Sequence, residues 1–315
     1  MTLLRPVLFC ALLIPSAVHP DRLFLIAGQS NAVGQGSVAG RVTCDPGTAF
    51  EYDVLGDSSR PLRDPTGQPW GLLEASQGDG GSVAPAFAKR LAALSGDRIF
   101  VVMAARGGSS CARQGELGGY GTWDSAGSAA ASKLLFPEAA AKTDLAVART
   151  GLPLSGILWL QGERDANAIL AGQETQAQYQ AALTGVVRRF RKRYGSALPF
   201  FIVKTGYQYR RERPDSLDDT AGNVKVRQAQ DAVAQDVPGV RMVYAGTHLF
   251  GQHKPTWMKD FVHYNQEGLN AIGDSAAIRV QAFLVGSATT IAPQSKHSTT
   301  QPRRYLRLDG RAWTW

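Results

Sequence analysis

Five short apolar runs recur along the chain, and a stretch with helical periodicity separates each run from the next. None of the runs alternates cleanly between apolar and polar residues, which indicates strands that are buried on both faces, as in a parallel sheet. Regular alternation of strand and helix predicts a three-layer α/β/α sandwich with a central parallel sheet of about five strands. The predicted strands are residues 23–27, 99–104, 156–160, 200–203 and 240–244.

Helices are predicted between these strands. Residues 84–94 and 137–148 each have a proline at or near the start, where a missing N–H costs a helix nothing. Residues 173–194 place five large side chains on one stripe and leave the arginines outside it. Residues 224–237 and 266–285 complete the set.

The first twenty residues have the layout of a secretory signal peptide. Arg5 gives a positive start, residues 7–13 are apolar, and the small residues Ser16 and Ala17 follow. An apolar run of that length is too short to span a bilayer. We therefore predict a signal peptide at residues 1–20 and an exported protein, secreted or periplasmic, whose mature chain has no membrane span.

The rest of the chain is predicted to be one domain followed by a tail. Residues 21–286 show no internal repeat and no linker, whereas residues 287–315 form a basic, polar C-terminal tail. The formal net charge of +8 comes largely from that tail and from residues 188–193, RRFRKR. Charge concentrated on one helix face and one tail indicates solubility, or contact with an anionic surface polymer, rather than a nucleic-acid interface.

Two cysteines remain once the signal peptide is removed. Cys44 and Cys111 both fall in predicted loops, and the thiols of exported proteins often pair. A disulfide between them is therefore one hypothesis, and two free thiols are the other. Neither cysteine has a histidine close by in the sequence, which argues against a catalytic thiol.

A serine follows the first predicted strand directly, in the sequence LFLIAGQSNAVG at residues 23–34. In open parallel sheets, ligands bind outside the carboxyl ends of the strands. Gly28 would permit a tight bend that exposes the Ser30 hydroxyl, and this arrangement suits a nucleophile. A serine at this point could instead cap the following helix, and a serine nucleophile also needs a base.

One histidine of the mature domain has a carboxylate at a short fixed spacing. His263 lies three residues after Asp260, in DFVHYNQEG. A carboxylate at this spacing can accept the Nδ1–H of the ring and leave Nε2 free to take the serine proton. By itself, the D-x-x-H pattern also fits a surface loop or a metal site.

No metal and no cofactor are predicted. The other histidines lack carboxylates at i, i+4 spacing, and the two mature cysteines lie far apart in the sequence. The glycine-rich stretches at residues 78–82 and 106–110 match neither a dinucleotide loop nor a phosphate loop.

Four sequence blocks follow one another along the chain: GQSN at 28–31, AARGGSS at 104–110, WLQGERD at 159–165 and D-x-x-H at 260–263. In this order they resemble the blocks of the SGNH (GDSL-like) hydrolase superfamily. Together with RPLRDP at residues 60–65, they are most similar to the sialate O-acetylesterase-like branch, which includes acetylxylan esterases of carbohydrate esterase family six. The resemblance covers roughly residues 22–285.

The resemblance implies a catalytic triad. Ser30 would be the nucleophile, His263 the general base and then acid, and Asp260 its orienting partner. Glu163 is the rival carboxylate, because the family block places an acid beside the oxyanion glutamine. Tyr264 departs from the family pattern, in which a proline more often follows the histidine.

The resemblance also implies an oxyanion hole and an activity. The hole would consist of the Ser30 N–H, a backbone N–H of Gly107 or Gly108, and the side-chain amide of Gln161. The implied protein is a secreted serine esterase with the SGNH fold, acting on acetylated xylan or O-acetyl sialic acid through an acetyl-enzyme. The supporting residues would be Gln29, Asn31 and Glu163.

Two other functions stay open. The chain could be a non-catalytic carbohydrate-binding relative, although the presence of all three triad residues argues against this. It could also be a lipase-like esterase on the same scaffold. Trp123, Trp257 and Tyr264 could line a sugar platform or pack in the core.

Overall fold

A computed structural model describes residues 20–125, 133–206, 221–253 and 255–290. The predicted signal peptide lies outside the described residues except for Pro20, and so does the predicted tail beyond Thr290. Both remain predictions.

The core of the protein is one seven-stranded sheet with the order β3-β2-β4-β1-β5-β6-β7. Neighbouring strands are parallel except for the antiparallel pair β2 and β3. The five predicted strands are confirmed as β1, β4, β5, β6 and β7. The strands are β1 Arg22–Gly28, β2 Ala49–Asp53, β3 Ser58–Pro61, β4 Ile99–Ala105, β5 Leu154–Leu160, β6 Phe200–Val203 and β7 Val240–Tyr244.

The predicted number of about five strands is too low, because a hairpin extends one edge of the sheet. Strand β3 is polar and alternates between half-buried and exposed residues, so it has no apolar run. Strand β2 carries Glu51, which is buried and accepts hydrogen bonds from the Gly67 N–H at 2.6 Å and the Arg60 guanidinium at 3.0 Å. The hairpin of β2 and β3 is therefore stabilised by hydrogen bonds of Glu51 to Arg60 and Gly67, which an apolar run in the sequence does not indicate.

Seven α-helices lie within the described residues, and five of them confirm the predicted helices. The four-residue helix α1 and the eight-residue helix α4 are additional, and both are too short to show a helical period. The helices are α1 Ser30–Val33, α2 Ala84–Ser95, α3 Leu135–Thr150, α4 Glu163–Leu170, α5 Gln176–Tyr194, α6 Ala221–Asp236 and α7 Gln266–Thr290.

Helices cover both faces of the sheet, which confirms the three-layer α/β/α class. Successive side chains of a strand point to opposite faces. Leu25 of β1 lies in the apolar cluster that includes Phe190 of α5 and Val226 of α6. Phe24 packs edge-on against Phe87 of α2, with ring centroids 5.4 Å apart.

The chain divides into a compact unit that ends at Gln281 and a second unit that begins at Ala282. The described part of the second unit is the end of α7. Among the helices within the described ranges, none combines the length and the apolar composition that crossing a membrane requires.

The hypothetical disulfide between Cys44 and Cys111 is not formed in the structure, where both thiols are free. Cys111 is fully buried in the apolar cluster on the α5 face of the sheet. The Cys44 thiol lies beside the backbone oxygen of Pro85 in α2, which covers the opposite face. Burial raises the pKa of the Cys44 thiol to about 11 and that of Cys111 well above its ordinary value.

Candidate active site

The turn between β1 and α1 can be made only by glycine at its first position. Gly28 has φ +141°, and a Cβ on it would lie 2.0 Å from the backbone oxygen of Leu160 on β5. Gln29 donates its N–H to that same oxygen at 2.9 Å. The close approach of β5 therefore fixes the bend, and Ser30 begins α1 at the carboxyl end of the central strand β1.

Ser30, His263 and Asp260 lie in one hydrogen-bonded row, although 233 residues separate the first two in the sequence. The Ser30 Oγ lies 3.0 Å from His263 Nε2. On the other side of the ring, Nδ1 lies 2.8 Å from an Asp260 carboxylate oxygen. This is the geometry in which an imidazole can take a proton from a hydroxyl while a carboxylate holds the ring.

The loop that carries His263 is held by the same carboxylate. Asp260 Oδ1 accepts hydrogen bonds from the backbone N–H groups of Val262, at 2.9 Å, and His263, at 2.8 Å. Partial burial opposes ionisation of Asp260, but these bonds and the His263 ring outweigh it and lower its pKa to about 2. The Asp260 carboxyl group is thus ionised at neutral pH.

Asn31 connects the nucleophile turn to the histidine loop. Its side chain is completely buried and donates to Glu163 at 2.8 Å and to the backbone oxygen of Val262 at 3.3 Å. The side-chain oxygen Oδ1 of Asn31 accepts a hydrogen bond from the backbone N–H of Tyr264 at 3.1 Å. Asn31 therefore fixes the position of Ser30 relative to His263, although it bonds neither Ser30 Oγ nor His263 Nε2.

Glu163 occupies a different position from Asp260. It is buried, and desolvation raises its pKa even though Asn31 donates a hydrogen bond to it. Its second carboxylate oxygen has no hydrogen-bond partner within the described ranges. The acceptor of the hydrogen bond from Nδ1 of the ring is Asp260, so the geometry favours Asp260 over Glu163 as the partner of His263.

Tyr264 fills the position where a proline is more usual. Its hydroxyl accepts from the backbone N–H of Gly206 at 2.9 Å and lies 3.4 Å from Glu163. Its ring is buried edge-on against Phe250, with centroids 5.1 Å apart. Packing and hydrogen bonding thus anchor the histidine loop in place of a rigid proline ring.

The expected oxyanion donors differ in what their N–H groups contact. The Gly107 N–H donates to a Glu74 carboxylate oxygen at 2.7 Å, and is therefore occupied. The backbone N–H groups of Ser30 and Gly108 have no acceptor within the described residues. A Cβ on Gly107 would lie 3.9 Å from the Cβ of Ser30, which places this glycine loop beside the serine.

Gln161 does not present a free amide to the site in this structure. Its Nε2 donates to Gln29 Oε1 at 3.3 Å and to the Ser109 backbone oxygen at 3.2 Å, and it also bonds Asp165. The expectation of an oxyanion donor at Gln161 is therefore not met in this structure, because the side-chain amide already donates its hydrogen bonds to other residues, Asp165 among them. Asp165 is the last residue of the block WLQGERD, but sequence reasoning gave it no role.

Gln29 links the turns that follow β1 and β5. Its Oε1 accepts from the N–H groups of Gly162 at 3.1 Å and Arg164 at 3.2 Å, in addition to the Gln161 amide. Gln29 thus has the supporting role expected for it, because its side chain joins the turn after β1 to the turn after β5.

A cleft of about 570 Å³ opens in front of Ser30 and His263. We call it the first cleft. Sequence reasoning assigned no role to several of its walls, because a motif identifies the reacting residues and not the side chains that surround them. These walls are Glu74, Leu117, Tyr120, Arg164, Asn167, Phe261 and Val262.

Aromatic side chains contribute to this cleft differently from the sequence expectation. Trp123 and Tyr264 are buried, so neither forms a sugar platform. Trp257 is half-buried and stacks on His253 with centroids 3.6 Å apart. Two aromatic residues line the first cleft: Tyr120, which is 44% exposed and lies against the backbone of Gly108, and Phe261, which is half-buried.

Within the described ranges, no group of three or more His, Cys, Asp or Glu side chains is placed to hold a metal ion.

Comparison with known proteins gives a family match over most of the chain. The model of the carbohydrate esterase family described as sialic acid-specific acetylesterase matches residues 20–282. A search of curated proteins gave no match.

Solved structures with the same fold include three proteins at low sequence identity. A protein of Arabidopsis thaliana has a TM-score of 0.60 and 17% identity, over 84% of this chain and 98% of its own. The protein NanS has a TM-score of 0.59 and 16% identity, over 85% and 98%. A structure titled as a novel carbohydrate acetylesterase from Xanthomonas citri has a TM-score of 0.50 and 17% identity, over 83% of this chain and 56% of its own.

Proposed function

The chain belongs to the sialic acid-specific acetylesterase family of carbohydrate esterases, and we propose that it removes acetyl groups from a carbohydrate through an acetyl-enzyme on Ser30. Membership makes it a carboxylic ester hydrolase. The observation that carries the proposed mechanism is the row from Ser30 Oγ through the His263 ring to Asp260, with distances of 3.0 Å and 2.8 Å.

In the first half-reaction, Ser30 Oγ attacks the acetyl carbonyl carbon while His263 Nε2 takes the hydroxyl proton. Asp260 stabilises the imidazolium that forms, because its own pKa of about 2 keeps it ionised. The carbon–oxygen bond to the sugar then breaks, and His263 returns the proton to the leaving sugar oxygen. The sugar departs as an alcohol and the acetyl group stays on Ser30.

Negative charge develops on the carbonyl oxygen during attack, and the free N–H groups of Ser30 and Gly108 are the donors we assign to it. One such donor lowers the barrier by about 3 kcal/mol. The Gly107 N–H is held by Glu74 and shapes the glycine loop instead.

In the second half-reaction, water replaces the sugar. His263 takes a proton from the water, the resulting nucleophile attacks the acetyl carbon, and acetate leaves as Ser30 recovers its proton.

The substrate is proposed to be an acetylated carbohydrate outside the cytoplasm. The proposal of export depends on the signal-peptide layout of residues 1–20. Acetylated xylan and O-acetyl sialic acid are the two substrates to compare, and the family description supports an acetyl group as the acyl part.

The test is acetate release from acetylated xylan, O-acetyl sialic acid and a long-chain ester. Ser30→Ala should lower kcat on acetylated carbohydrate by at least about 10³-fold. Ser196→Ala is the matched control, because Ser196 is exposed before β6, at the opposite ends of the strands. Release of no acetate from any carbohydrate, or full activity of Ser30→Ala, would contradict the proposal, and preference for the long-chain ester would favour a lipase.

A further inference from the structure

Glu74 lies in the wall of the first cleft, beside the nucleophile. A Cβ on Gly107 would lie 3.0 Å from Glu74 Oε2 and 3.9 Å from Ser30 Cβ, so a single glycine separates the carboxylate from the serine. Glu74 also lines a second cleft of about 350 Å³. A substrate whose ester reaches Ser30 therefore brings the atoms next to that ester close to Glu74.

The Glu74 carboxylate is held in place before any ligand binds. The backbone N–H of Glu74 donates to the Ala105 oxygen at 2.9 Å, at the end of β4. Its Oε2 accepts a hydrogen bond from the Gly107 N–H at 2.7 Å. An acceptor that is fixed in this way loses little entropy when it binds a ligand.

Arg106 balances the charge of this carboxylate. Its guanidinium pairs with Glu74 Oε1 at 3.2 Å and donates to the backbone oxygens of Leu72, at 3.0 Å, and Gly119, at 3.3 Å. The exposed fraction is 28% for the Glu74 side chain and 23% for the Arg106 side chain. The pair adds no net charge to the wall, so what it offers a ligand depends on the hydrogen-bonding sites that stay open.

The carboxylate of Glu74 has acceptor sites to spare. An ionised carboxylate offers about four lone-pair sites. Among the residues that the structure describes, one hydrogen-bond donor bonds this carboxylate, the Gly107 N–H, and Arg106 approaches the other oxygen. Of the two glutamates in the wall of the first cleft, Glu163 is buried and Glu74 is accessible to a ligand.

These open sites accept hydrogen bonds and cannot donate them, so they suit a hydroxyl group of the ligand. A hydrogen bond from a hydroxyl to a carboxylate is charge-assisted and is stronger than one between neutral groups. An acetylated carbohydrate carries hydroxyl groups on the carbons next to its ester. A methyl group in place of the hydroxyl hydrogen would cover the carboxylate without bonding it, which is unfavourable.

We propose that Glu74 determines specificity by accepting a hydrogen bond from a free hydroxyl group on the carbon next to the ester. The enzyme then selects acetyl groups whose neighbouring hydroxyl is unsubstituted, whatever the rest of the carbohydrate. This inference rests on the proposed esterase function and adds to it a requirement at the position beside the ester.

The test compares two small esters that differ in one hydrogen-bond donor. Ethylene glycol monoacetate has a hydroxyl group beside the ester, and migration of its acetyl group regenerates the same compound. In its methyl ether, a methyl group replaces the hydroxyl hydrogen. We expect kcat/KM for the monoacetate to exceed that for the ether by about tenfold or more, because a site built to bond a hydroxyl rejects an analogue without it. Equal values for the two esters would overturn the inference.

A variant separates hydrogen bonding from exclusion by size. Glu74→Gln keeps an oxygen that can accept the Gly107 N–H but removes the ionised acceptor, so the preference should fall below about threefold. It should also lose at least about fivefold more kcat/KM on the monoacetate than on 4-nitrophenyl acetate, which has no hydroxyl group. Glu267→Gln, at an exposed glutamate in the first turn of α7, is the matched control and should keep the full preference.

Two results with Glu74→Gln would contradict the inference. A preference that survives in this variant would show that the methyl group is excluded by its size alone. Equal losses on all three esters would show that Glu74 only holds the glycine loop in place.

The two proposals fail in different ways. If Ser30→Ala loses hydrolysis of 4-nitrophenyl acetate, the esterase function stands whatever the preference between the two glycol esters. If Ser30→Ala hydrolyses every ester as well as the unsubstituted protein does, the esterase mechanism and this inference are both wrong.

Discussion

Two carboxylates lie close to the His263 loop, and their environments predict different effects on catalysis. Asp260 bonds Nδ1 of the ring, whereas Glu163 bonds Asn31 and Tyr264. Asp260→Asn should lower kcat by about 10²–10⁴-fold, because the ring loses its anionic partner. Glu163→Gln should cost less than tenfold, since an amide oxygen can still accept from Asn31. Steady-state kinetics on both variants checks this, and a larger loss in Glu163→Gln would reverse the assignment.

Asn31 offers a test of positioning. Asn31→Ala removes two buried hydrogen bonds, to Glu163 and Tyr264, and a partly buried one to Val262, and should lower the free energy of unfolding by about 3 kcal/mol. We expect kcat to fall about tenfold to 100-fold with KM little changed, because the histidine loop shifts relative to Ser30. Urea unfolding and kinetics measure the two effects. Asn270→Ala, which loses an exposed bond to Gly40 and a partly buried bond to Gln266, is the control, and an unchanged kcat in Asn31→Ala would refute the positioning role.

Motif spacing was sufficient to propose Ser30, His263 and Asp260 together, and the structure places them in contact. It was insufficient for the oxyanion donors. Whether the amide of Gln161 is free depends on Asp165, four residues further along the chain, and whether the N–H of Gly107 is free depends on Glu74, which comes from a different segment. A sequence block specifies which residue stands at a strand end. It does not specify which neighbouring carboxylate accepts the hydrogen bonds of that residue.

The junction of β1, β5 and α1 is the element on which the nucleophile depends. Gly28→Ala would place a Cβ 2.0 Å from Leu160 O at a positive φ, so we expect a loss of more than about 3 kcal/mol in the free energy of unfolding. Gly47→Ala is the matched control, because Gly47 also has a positive φ but an added Cβ has nothing within 4 Å. It should lose only about 1 kcal/mol. Denaturant titration of both variants compares them, and equal losses would show that β5 does not constrain the bend.

Strands were predictable where burial on both faces gives an apolar run, as in β1 and β4. The hairpin of β2 and β3 was missed because its stability depends on Glu51, whose carboxylate is buried against Arg60 and the Gly67 N–H. Such an edge has polar residues and no run of apolar ones. Helix α4 was likewise too short to show a period, although it carries Glu163 and Asp165.

The free energy of unfolding should depend on pH through a buried pair of acids, Asp165 and Glu174, of which Asp165 bonds Gln161. Burial and the neighbouring Asp165 raise the pKa of Glu174 well above its ordinary value. Neither Glu174 oxygen has a hydrogen-bond donor within the described residues, so contact with Asp165 requires a proton between them. The folded state therefore keeps a proton that the unfolded chain releases above about pH 4.

The sign of this effect follows from proton binding. Because the folded state binds more protons, the free energy of unfolding should fall as pH rises from about 4, by at most about 1.4 kcal/mol per pH unit. Glu174→Gln donates an amide N–H to Asp165 without that proton, so its stability should decline less between pH 5 and pH 9. Urea unfolding at both pH values measures the difference. Identical pH dependence in the two proteins would show that Glu174 is not protonated in the folded state.

Chemical trapping decides whether the serine becomes acetylated. The protein would be mixed with excess 4-nitrophenyl acetate, quenched in acid within one turnover and mapped by peptide mass spectrometry. We predict one acetyl group on the peptide that contains Ser30, and a lower yield in His263→Ala. Full consumption of the ester with no acetyl group on Ser30, or with the acetyl group on another residue, would contradict the mechanism.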